Sequence, residues 1–135
     1  MLEALVTLLI VSLGLLGIAG IIANSLKVNQ GAQTRSQASW LANDIIDRMR
    51  ANRTTAEAGA YTLASCAAAP AGGSVANDDL SQWCAAVAAE LPSGTGSVAL
   101  AASKVTVTVQ WDDSSRLADG AKVDGSGEIV VETRL

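Results

Sequence analysis

The sequence predicts an α+β protein: a long N-terminal helix, hydrophobic in its first half and amphipathic in its second, packed on a small antiparallel β-sheet head. Three observations lead there. Ala4 to Leu26 contains no charged residue. Ala38, Leu41, Ala42, Ile45 and Met49 recur at helical spacing. Val105, Val107, Val109 and Trp111 alternate with Thr106, Thr108 and Gln110, the period of a half-buried strand. The expected division is 1–26 as a lipid-soluble half-helix, 27–53 as its amphipathic half, and 54–135 as the head.

The apolar run, ALVTLLIVSLGLLGIAGIIA from Ala4 to Ala23, matches the roughly 20 residues a helix needs to cross hydrocarbon. A signal peptide would be shorter, would follow a basic segment and would end at a small-x-small cleavage site. Glu3 stands at the edge of the run. It is either an interfacial carboxylate at the positive end of a helix dipole or a carboxylate awaiting a cation within an assembly. Gly14, Gly17 and Gly20 recur every third residue. Each costs about 1 kcal/mol in helix propensity, but small residues let membrane helices approach closely. A solitary anchor needs none of them.

No proline interrupts the chain from Asn24 to Asn52, so the helix is expected to run from Met1 to about Asn52, with Gly31 as a soft point. The Ala38, Leu41, Ala42, Ile45 and Met49 stripe is the face expected to meet the head. Asp44 with Arg48, and Asp47 with Arg50, fall at spacings that support a solvated outer face.

Arg53 to Asn77, rich in alanine and glycine, reads as an irregular connection anchored by Tyr61 and Leu63. Asn77 or Asp78 is the expected cap of a helix whose Leu80, Trp83, Cys84, Val87 and Leu91 line one face, ended by Pro92 and Gly94. Cys84 then points inward, where it can meet Cys66; a bridge would contribute about 3 kcal/mol, and the alternative is two buried thiols. Strands follow at Val98–Leu100, Val105–Trp111 and Glu128–Leu135, with a polar loop between Asp112 and Gly127.

The composition argues against several functions. The formal net charge is −4 with no histidine, so nothing suggests a nucleic-acid surface, and the commonest general base and metal ligand is missing. There is no Gly-x-Ser-x-Gly elbow and no phosphate loop. We expect no enzyme, no cofactor and no metal. Asp112, Asp113, Asp119, Asp124 and Glu128 could offer oxygens to calcium, but their spacing does not match a calcium loop. Arg48, Arg50 and Arg53 read as solvated helix charges rather than a phosphate site.

MLEALVTLLIVSLGLLGIAG resembles the N-terminus of the type IV pilins and pseudopilins. Together with SWLANDIIDRMRANR it is similar to the minor pilins of the PilV type, the type IV pilus modification proteins. In that family the acid is the fifth residue of the mature chain, after a basic leader that is cut before an N-methylated residue. With Glu3 third here, the leader, the cut site and two mature residues are expected to lie outside this sequence. The resemblance implies a structural subunit, held in the bacterial inner membrane with its head in the periplasm and then incorporated near the tip of an extracellular pilus. It implies a role in priming assembly, and so in twitching motility and adhesion. Implied partners are other minor and major pilins, through helix and head contacts, and a tip adhesin; nucleic acid is not among them. It also implies that Glu3 pairs with the N-terminal ammonium of a neighbouring subunit. The alternative is a minor pseudopilin of a type II secretion system; a lone single-pass protein with a ligand-binding head is the third reading.

Overall fold

The computed structural model describes residues 2–113 and 125–135. One helix, α1, runs unbroken from Leu2 to Ala51, about 75 Å at 1.5 Å per residue. It passes straight through Gly31. Arg48 and Arg50 in its last turn suit the negative end of the helix dipole. The chain leaves the helical conformation at Asn52 and resumes it in a short helix, α2 (Arg53–Glu57). Gly59, at φ 88°, turns it back toward the head. The expected irregular connection therefore holds α2 and a single 3₁₀ turn, Cys66–Ala68. Its anchors are Tyr61 and Leu63, both buried.

Helix α3 spans Val75–Glu90. Its cap is Ser74, whose hydroxyl accepts the Asn77 N–H at 3.2 Å. The helix thus starts before the expected Asn77 or Asp78, and Val75 is left exposed. Leu80, Trp83, Cys84 and Val87 are its buried face.

Three antiparallel strands follow in sheet order β1-β2-β3: β1 (Thr95–Ala101), β2 (Lys104–Asp112) and β3 (Ser126–Arg134). All three differ from the expected limits. β1 begins three residues before Val98, because Gly96 lets the strand pass beneath the Trp83 ring; a Cβ there would lie 2.4 Å from Cη2. β2 and β3 remain paired as far as Asp112 with Ser126, which shortens the expected polar loop. Asp119 and Asp124 lie outside the described residues. Gly127 permits that extension, since a Cβ at Gly127 would lie 2.1 Å from Cε2 of Trp111.

The core is a single cluster. The second half of α1 rests against α3 on one side and against β2 and β3 on the other. Val98, Val105, Val107, Val109 and Trp111 form the sheet's inner face, each at most 3% exposed. Among the described residues no charged side chain is buried, and the buried polar atoms of side chains belong to Tyr61, Trp83 and Trp111.

Candidate functional site

The two halves of α1 stand in different surroundings. From Leu2 to Val28 every large apolar side chain is more than half exposed, the least being Val6 at 51%. None of the most apolar stretch is buried within the molecule, and its length and composition suffice to cross a membrane. Burying a side chain of this size is worth about 1.5–3 kcal/mol. Summed over the stem, that exceeds the roughly 5–15 kcal/mol net stability of a whole domain. Water is therefore not the medium this half is built for.

The two hydroxyls within the run from Ala4 to Ala23 fit that conclusion. Thr7 Oγ1 donates to the Glu3 carbonyl at 2.7 Å, and Ser12 Oγ donates to the Leu8 carbonyl at 2.7 Å. Each satisfies itself on its own helix, as hydrocarbon requires. Glu3 lies in the first turn and is exposed, with no ion-pair partner among the described residues. Gly14, Gly17 and Gly20 have nothing within 4 Å of where a Cβ would stand. Steps of three residues fall about 60° short of a full turn. The glycines therefore wind across the helix as an unfilled notch rather than lying on one straight line. They are far along the helix from Glu3, so the structure does not bring these positions together.

The head half is closed. Ala38, Leu41, Ala42, Ile45 and Met49 are at most 1% exposed, and Ile46 joins them. Trp83 locks this face in place: its buried Nε1 donates to the Leu41 carbonyl at 2.9 Å. Arg48 reaches across to α3, holding Asp44 at 3.0 Å and Asp79 at 3.3 Å. It also donates to Gln82. The Asp44–Arg48 pair is thus part of the α1–α3 joint, correcting its expected place on a solvated outer face. Arg50 holds Asp47 at 2.9 Å and Arg53 holds Glu57 at 2.7 Å, so each cation of the expected basic cluster already has an acid.

Below that joint, Tyr61 Oη donates to Asp79 at 2.6 Å and accepts from Asn52 Nδ2 at 3.3 Å. Burial and the bond to Asp79 raise its pKa above the ordinary 10.0. Cys66 and Cys84 form a disulfide, with Cα atoms 5.3 Å apart, tying the connection to α3. On the outer face of the sheet, Lys104 pairs with Glu132 and holds its carboxyl below the ordinary range. Among the described residues no cluster of His, Cys, Asp and Glu side chains could hold a metal ion. Asp112 and Glu128 sit on strands β2 and β3, where Glu128 accepts from Gln110. A cleft of about 330 Å³ opens at the sheet's end between Ser93, Gln110, Trp111 and Ser126. Beside it the buried Trp111 Nε1 has no partner among the described residues.

Set against protein-family models, curated proteins and solved structures, the chain matches none of them.

Proposed function

We propose that this chain is a minor subunit of a type IV pilus, held in the bacterial inner membrane by residues 1–26 and then drawn into the filament. The observation that carries the reading is the single helix α1, closed against the head from Ala38 onward and bare from Leu2 to Val28. The notch at Gly14, Gly17 and Gly20 supports close helix packing. The Cys66–Cys84 bridge favours an oxidising compartment such as the periplasm for the head. The sequence resemblance supplies the remainder: priming of assembly with other pilins, a place near the tip, and a contribution to twitching motility and adhesion.

Glu3 is the selective element in this reading. A carboxylate moved into low dielectric costs several kcal/mol unless a cation meets it. A correctly placed neighbour's N-terminal ammonium meets it and a misplaced one does not. Glu3→Val or Glu3→Ala should leave membrane insertion intact and remove the protein from sheared filaments. Wild-type amounts of the variant in those filaments would refute the proposal. Loss of secretion with intact pili would favour the type II pseudopilin instead.

A further inference from the structure

The head covers one edge of its sheet at Leu63 and, among the described residues, leaves the other uncovered. On β1, Val98 exchanges both main-chain bonds with Leu63 at 2.8 Å. β3 has no such cover among the described residues. Its bonding pattern follows from the two ends of the ladder. Leu135 N–H donates to the Ser103 carbonyl at 3.3 Å, and Asp113 N–H donates to the Gly125 carbonyl. Both bonds lie on the register that pairs Val107 with Val131. Bonded and non-bonded pairs alternate along an antiparallel ladder. The odd-numbered residues of β3 therefore bond to β2, while the N–H and C=O of Glu128, Val130, Glu132 and Arg134 face outward.

Of the usual guards against strand addition, β3 carries charge but neither a bulge nor a proline. Its nine residues pair one to one with β2. All four outward-bonding residues are exposed, with Val130 at the centre. Glu132 is already neutralised by Lys104, whereas Glu128 and Arg134 make no ion pair among the described residues. Opposite charges thus flank an apolar centre.

We propose that the outer edge of β3 receives an extended segment of a different polypeptide as a fourth strand, with a base opposite Glu128 and an acid opposite Arg134. A second copy of this chain fits poorly. Its β1 edge is occupied by Leu63. Antiparallel pairing of β3 with β3 would reverse the two α1 helices, which lie on their sheets, so both stems could not enter one bilayer from the same side. Symmetric parallel pairing of two outer edges would turn one sheet over, so that identical residues standing opposite would point to opposite faces and the pleats would not match. Main-chain bonds give affinity in this mode, and alternate side chains give selectivity.

The inference rests on the filament reading, so the test separates the two. Val130→Pro deletes an N–H that bonds to nothing in β2, leaving the ladder intact. The full-length variant, expressed beside Glu3→Val, is checked for slow amide exchange at Val107 and then quantified in membranes and in sheared filaments. We expect Val130→Pro to fold, to insert and to fall about tenfold in the filament fraction, the equivalent of about one lost main-chain bond. Wild-type recovery of Val130→Pro with loss of Glu3→Val overturns the edge proposal and leaves the filament reading standing. Wild-type recovery of both overturns both. If the proline disturbs the fold, amide exchange at Val130 and Glu132 of the wild-type chain decides. Slowing by about tenfold or more between detergent and filament supports the edge, and unchanged exchange overturns it.

Discussion

Residues 2–28 and 38–51 belong to one helix and obey opposite rules. In the second stretch the apolar face has partners: α3 and the sheet cover it, and Trp83 bonds to its backbone. In the first stretch apolar side chains surround the helix and none is covered. A helix that is hydrophobic all round belongs in a membrane or within other protein, while a striped one belongs on the surface of a head. The difference teaches that the chain divides its labour along one axis. The second half packs the head, and the first leaves its whole apolar surface bare for a membrane or for other protein.

The largest expected effect breaks the comparison from the head side. Trp83→Ala removes the ring above Gly96 and the donor to Leu41, and should cost about 3–5 kcal/mol. Thermal unfolding in detergent should show the head melting early while the protein still partitions into membranes. A matched pair of glycines sharpens the contrast. Gly127→Ala drives a methyl into Trp111 and should destabilise the head by about 1–3 kcal/mol, read by denaturant unfolding. Gly17→Ala meets open space and should leave head stability unchanged, or gain up to about 1 kcal/mol in helicity. Its effect should instead appear as weaker helix association within the membrane.

The smallest effect is a pH response confined to the head. Tyr61 is held neutral by burial and by its bond to Asp79, so its folded pKa lies above the unfolded 10.0. Sign follows from proton binding: above pH 10 the unfolded state loses the proton first. Stability is fully present below that value and is lost as pH rises through the folded pKa. Absorbance titration of the folded protein should show Tyr61 ionising later than a free tyrosine. In Asp79→Asn that delay should shrink.

Much of this was legible in the residues, because periodicity carries burial. The Ala38–Met49 stripe and the Val105–Trp111 alternation are one-dimensional records of a single contact face. Ile46 lies outside the stripe yet is buried because α1 is wedged between two partners, which widens the buried arc beyond the stripe one partner would need. The place of Arg48 is hidden for a related reason. Local spacing offered it Asp44, and nothing local reveals that Asp79 of α3 stands on its other side. The early start of α3 has its signal in Ser74, a capping residue three positions before Asn77. The open edge of β3 was out of reach, since an edge is defined by what other strands do.

The most direct test is to remove residues 2–28 and measure the head alone. The head alone should be a soluble monomer whose unfolding free energy matches that of the full chain in detergent to within about 0.5 kcal/mol. A truncated head that unfolds, or that loses protection at Val107 and Trp83, would contradict that expectation, because the bare half of α1 would then be holding up its own molecule.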